Sequence, residues 1–322
     1  MRISTLARTA AGVALAVLVA GALPGFANTM GPKSFTSPSH GFMKPLSAQT
    51  KVLYMSSWGT ASVIDVMTMD GELVGQITNG LAQPQGLFVD ASHNLWVANG
   101  ANIVVYPRGG LTPSTTLTDS LGIPVDVTVC PNGTAYVANL YNVSNPNSAS
   151  IQIYPPGSTS PSGSLTYSTD FRNPFLTCDA AGNVFVSILT GLYVGSGRII
   201  EFPLGQQAGA EDLGLSLQDP SGIRPDAAGN LLISDLVDQT ITEYTESGSA
   251  TGNSIATYGP IEGIAVSSDG KTILGANPNG PEGVTWSYPE GKQKRTYTCC
   301  SRIGPPLQNN FGVALDPGLK GT

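Results

Sequence analysis

The chain has 322 residues, of which 15 are basic and 22 acidic, and a formal net charge of −7. With no basic run longer than Lys292-Gln-Lys294-Arg295, that balance argues against nucleic acid as a partner. Only 11% of the residues are charged, and 39 Gly and 24 Pro punctuate short apolar segments, a composition that points away from helical bundles and towards one all-β domain.

In chain order, the first element is a secretory signal. Arg2 and Arg8 form a basic start, Ala10 to Leu23 an apolar stretch, and Pro24-Gly25-Phe26-Ala27 a small-residue exit, so residues 1–27 are expected to be cleaved after Ala27. The apolar stretch is shorter than the ~20 residues that span a bilayer, and no transmembrane segment is expected after cleavage. The protein is expected to be secreted or periplasmic. Residues 28–50, rich in Ser, Pro and Gly and including His40, read as a disordered leader to a folded domain over 51–322.

A repeat follows. Pro84-Gln-Gly-Leu-Phe-Val-Asp90-Ala-Ser-His-Asn94-Leu-Trp-Val-Ala-Asn99 recurs as Pro124 to Asn139, Asn173 to Ser187, Pro220 to Asp235 and Pro260 to Leu274, the last with one inserted residue. Each copy is two apolar runs joined by an Asp/Asn/Gly turn, the pattern of a β-hairpin. A third alternating run follows each one, as in Ile151-Gln-Ile-Tyr-Pro155 and Val284-Thr-Trp-Ser-Tyr-Pro289, and then a weaker fourth such as Ser114 to Leu117. Four strands about every 45 residues make the blade of a β-propeller. The half copy Asn310 to Gly318 lacks partners that Lys51 to Ser57 and Val63 to Gly71 supply from the other end of the chain. The ring therefore closes at six blades of four antiparallel strands, with Phe311 to Asp316 beside Lys51 to Ser57.

The motif Pro-x-Gly-[Leu/Ile]-x-x-Asp-x-x-Gly-Asn resembles that of the NHL-repeat propellers and of the wider superfamily of gluconolactonase-like (SMP-30-like) six-bladed propellers, over residues 51 to 318. The resemblance implies a possible enzyme: lactonase-type members hold a divalent metal at one channel mouth through residues just before the repeat glycine. Those positions here are Gln85, Val125, Pro174, Ser221, Glu262 and Phe311. Gln85 and Glu262, with Asp126 one residue further along, are thus the candidate channel-mouth ligands, suited to calcium or another hard divalent cation. Streptogramin-lyase-like members are similar in repeat and use a histidine, but His93 reads as a solvated turn residue.

The aligned second-strand ends Ser57, Asn99, Asn139, Ser187, Asp235 and Asn277 make a polar ring that backbone capping in the following loops explains. Cys130 and Cys178 lie at inner-strand ends of consecutive blades and are the favoured disulfide, while the adjacent Cys299 and Cys300 leave three options open: a vicinal bridge, free thiols, or a more distant partner. Trp58, Trp96 and Trp286 read as blade packing. The insertions Leu140 to Ala149, Asn277 to Gly283 and Gln293 to Pro306 are the candidate contact loops. These features favour a monomeric, non-catalytic module that binds a small molecule, glycan or protein. The alternatives are a divergent metal-dependent hydrolase of the lactonase type and a structural envelope protein. Signal cleavage is checked directly: the chain recovered from outside the cytoplasm should begin at Asn28, and an intact mass that retains residues 1–27 would refute the assignment.

Overall fold

The structure is a computed structural model that describes residues 41–58, 62–142, 148–167, 171–191, 194–299 and 309–319. Five four-stranded antiparallel sheets and one five-stranded sheet follow one another around an axis. In blades I to V the strand nearest the axis comes first: Pro84–Val89, Gly122–Val129, Arg172–Cys178, Pro220–Pro225 and Ile264–Val266. Each is followed outward by its second, third and fourth strands. Blade VI is composite, its inner strand Asn309–Asp316 lying beside Val52–Trp58, Val63–Thr68 and Leu73–Ile77. Every inner strand touches the next, and that of blade VI touches that of blade I. The ring is a six-bladed β-propeller.

Alternation along the strands turns apolar side chains to both faces of each sheet, and the faces meet in six hydrophobic cores, one at each interface between neighbouring blades. Ile151 and Tyr136 of blade II meet Leu176 and Val186 of blade III in one of them. Trp286, fully buried, fills the interface between blades IV and V, whereas the partly buried Trp96 donates its Nε1 proton to Asp90 at 2.8 Å.

Near the axis there is no room for such side chains, and the Pro-x-Gly motif answers that constraint. In blade I, Pro84 pairs with Asn99 and Leu87 with Val97, so Gln85 and Gly86 together face Ala98 in a β-bulge. A Cβ on Gly86 would lie 2.5 Å from the Val125 carbonyl of blade II, on Gly222 2.5 Å from that of Glu262, on Gly263 2.5 Å from that of Phe311, and on Gly312 2.0 Å from that of Gln85. Glycine lets the inner strands approach backbone to backbone. Serine hydroxyls of the second strands join them: Ser56 donates to the Gln85 carbonyl at 2.6 Å, Ser187 to that of Ser221 at 2.6 Å and Ser234 to that of Glu262 at 3.2 Å.

Closure follows the expected register, Val52 opposite Asp316 and Met55 opposite Val313. The Asp316 carboxylate, fully buried, then binds blade I twice, with His93 Nδ1 at 2.7 Å and Arg108 Nε at 2.6 Å. Arg108 also donates to the Thr50 carbonyl at 2.6 Å.

Two expectations need correction. His93 is not a solvated turn residue: it holds the left-handed turn position, φ 64°, but its ring is turned inward onto Asp316 and its side chain is only 19% exposed. The leader also ends earlier than expected, because Phe42–Met43 pairs with Gln76 and Gly75 as a fifth strand on blade VI, while Met43 and Leu46 pack on the core between blades VI and I. Two residues are too few to show alternation, which is why the composition of 28–50 concealed them. Residues 1–40, including His40, lie outside the described residues.

Gly312→Ala should lower stability by about 1–3 kcal/mol through overpacking at the axis. Gly163→Ala, whose Cβ would meet nothing within 4 Å, should change it by no more than about 0.5 kcal/mol, a contrast read from urea unfolding of the two variants.

Candidate functional site

Because the strands of each blade are antiparallel, the ends at which second strands finish and third strands begin, and those at which fourth strands finish and inner strands begin, lie together at one end of the ring, here called the loop end. The tight hairpin turns emerge at the other. The polar residues expected at the second-strand ends lie at the loop end and are largely committed to it. Asn99 accepts from the Ala82 amide and donates to the Gly80 carbonyl, Asn139 donates to Asp119, and Asn277 accepts from the Asn279 amide. The Asp235 carboxylate accepts from the amides of Gln218, Asp219, Val237 and Asp238. Ser187 is one position out of this series: Phe175 opposes it, so it matches Ser56 and Ser234 instead.

The channel is closed at its waist. Where blades I, IV, V and VI carry the bulge glycine, blade II carries Asp126 and blade III Phe175, and both side chains enter the axis. Arg224 reaches across from blade IV to lie 3.5 Å from Asp126 Oδ2, while donating to the carbonyls of Leu176 at 2.9 Å and Ile223 at 2.7 Å. The Leu176 amide donates to the same carboxylate at 3.1 Å, and the Val127 backbone also hydrogen-bonds to it. Burial raises the Asp126 carboxyl above its ordinary value, and Arg224 opposes that shift. The cavity left among these groups is ≈ 10 Å³, about the room of one water.

A second acidic group sits nearer the loop end. Asp219 precedes the inner strand of blade IV, Glu262 that of blade V. Burial and the Asp219 charge push the Glu262 carboxyl up to about 8; burial and Asp235 push Asp219 up to about 6. Asp219 Oδ1 is buried, and no described group donates to it. Asp238, also raised, lies exposed beside Asp235. Such carboxylates repel one another until a proton or a cation is shared.

The three residues named as candidate ligands each have surroundings of their own. Asp126 lines the waist against Arg224, Glu262 stands by Asp219, and Gln85 is buried with its carbonyl held by Ser56. Among the described residues, no set of three His, Cys, Asp or Glu side chains is arranged to hold a metal ion. Cys130 and Cys178 form a disulfide between blades II and III, with Cα atoms 5.3 Å apart. Cys299 is buried and disulfide-bonded; Cys300 lies outside the described residues. Gln293–Thr298 is not an insertion but the outer strand of blade V. Sequence reasoning missed Arg224 and Asp219, which match no repeated polar position.

Fold and site together define a six-bladed propeller with a closed waist and an acidic loop end. It is similar in fold to a chain from the crystal structure of a nidogen/laminin complex, with a TM-score of 0.63, 13% identity, and coverage of 82% of this chain and 98% of that one. A protein of unknown function from Bacteroides caccae gives a TM-score of 0.61 at 12% identity, covering 83% and 98%. The WD40 propeller domain of Doa1 gives 0.54 at 11% identity, covering 82% of each chain. No protein-family profile matches the sequence, and no curated protein matches it.

A carboxyl whose folded-state pKa lies above its unfolded value of about 4.3 loses stability as pH rises through the interval between the two. Glu262→Gln should therefore melt with the wild type near pH 4.5 and a few degrees above it near pH 8.5, on the order of the 2–4 °C that 1 kcal/mol produces in a domain of this size. Equal melting temperatures at both pH values would contradict the upward shift that burial and Asp219 give the Glu262 carboxyl.

Proposed function

We propose that this chain is an exported propeller that binds a protein through its loop end and performs no catalysis in its channel. The observation that carries this reading is the closed waist. Small-molecule sites are clefts of roughly 300–1,000 Å³, and the axial cavity here is ≈ 10 Å³, its one carboxylate already bound by Arg224 and a backbone amide. The fold's likeness to a chain solved in a complex with another protein supports the same reading. Among the described residues no helix is long and apolar enough to cross a membrane. Export itself rests on residues 1–27.

A photo-crosslinking amino acid placed at Val237 on the loop end should join the chain to a second protein in the producing cells, and the same group at Leu204 on the opposite end should not. Crosslinks from Leu204 alone would move the binding surface. A rise in melting temperature with calcium that Glu262→Gln abolishes, together with lactone hydrolysis, would overturn the reading in favour of the hydrolase.

A further inference from the structure

The large apolar side chains that face solvent are not spread evenly. Val194 is 56% exposed, Val237 44% and Tyr258 78%, and all three lie in loop-end connections of blades III and IV, while Leu140, 40% exposed, lies near the loop-end terminus of the second strand of blade II. Leu204 and Leu319 are the exposed exceptions at the hairpin end. The loops that carry the first three are tied in series by backbone hydrogen bonds: the Gly195 amide donates to the Gln218 carbonyl at 2.7 Å, the Leu236 amide to Asp219 at 3.0 Å, and the Thr257 amide to Gln239 at 2.9 Å. Val194, Val237 and Tyr258 therefore share one continuous strip.

Folding does not account for Tyr258. Its backbone holds φ 56°, a conformation that Gly or Asn adopts at far less cost than a bulky aromatic, and its ring packs on no core. An aromatic kept in a strained position and pointed at solvent fits a contact surface.

Along the same strip run Asp219, Asp238 and, at the neighbouring inner strand, Glu262. The described ion pairs engage Glu72, Asp126, Asp212 and Asp316, and none brings a cation to these three carboxylates. Asp219 Oδ1 is buried and without a donor among the described residues. We propose that this strip docks a partner-protein segment in which an arginine or lysine stands beside an aliphatic or aromatic residue. The cation would meet Asp219 and Glu262 and pass over the Tyr258 ring, and the apolar neighbour would cover Val237 and Val194. A second copy of this acidic chain would bring like charges together and is disfavoured for that reason. The proposal rests on the reading of the loop end as a protein-binding surface and adds the chemistry of the partner.

The test selects a phage-displayed library of random 12-residue peptides on the purified chain and measures the enriched peptides by fluorescence anisotropy. Arg or Lys next to Leu, Ile, Phe or Trp should be enriched. Affinity should fall about tenfold in Asp219→Asn combined with Glu262→Gln, and about tenfold in Val237→Ser combined with Tyr258→Asn. It should weaken with added salt and be unchanged in Leu204→Ser. Peptides without basic bias that need Val237 and Tyr258 but neither carboxylate would overturn the proposal and leave the loop-end reading standing. Peptides indifferent to every loop-end substitution would overturn both, and no enrichment over a blank selection would overturn the proposal.

Discussion

The approach of six inner strands around a common axis sets the terms for everything else in this molecule. At the bulge of blade VI the next backbone comes so near that a Cβ on Gly312 would sit 2.0 Å from the Gln85 carbonyl, and blades I, IV and V repeat the arrangement with a clearance of 2.5 Å. Backbone this close leaves carbonyls to be satisfied across blades, which the hydroxyls of Ser56, Ser187 and Ser234 do. Apolar burial is displaced outward, into six separate cores between blades. Stability is thus spread around the circumference, and the axis is left to backbone and a few polar groups.

Two blades depart from the glycine rule, and the departure shapes the site. Asp126 and Phe175 stand where the other blades have the repeat glycine, paired with Ala138 and Ser187, and a buried carboxylate requires a partner. Arg224 supplies it, from a strand two blades away. Its guanidinium also ties the carbonyls of Leu176 and Ile223, so one side chain links three blades across the channel. The arrangement fills the channel at its waist, and the half-buried Asp219 and Glu262 lie nearer the loop end.

Much of the architecture was legible in the sequence because it is periodic. Alternating runs, Asp/Gly turns and a half copy at each end define the strands, the blade number and the closing register, all of which depend on local pattern repeated in phase. The features that escaped have no period. His93 and Asp316 are 223 residues apart and meet only because the ring closes; Asp126 and Arg224 are 98 apart and come from non-equivalent positions. Ser187 was placed one step off because it follows the turn residue Asn183 by four positions, as Ala98 follows Asn94, whereas Asn99 follows Asn94 by five. Exposure at Val194, Val237 and Tyr258 depends on how connections fold back over the ring, and their composition does not reveal it. Gln85 and Glu262 were identified as a pair of like positions, which they are, and the backbone there presents both carbonyls to a serine of a neighbouring blade.

The composite blade has a consequence in time. Ser56 and Gly312, hydrogen-bonded to each other at 2.9 Å, are 256 residues apart, so the strand Val52–Trp58 is made early and waits for its neighbour until the other five blades have been made. Through that interval it is an unpaired edge, the kind of surface that recruits other chains. Contacts of such sequence separation also form slowly. A nascent chain of this design stays short of its native state until Asn309–Asp316 has been made, so chaperones meet an open array of blades, and the closed ring, with Asp316 locked onto His93 and Arg108, is the last part of the propeller to exist.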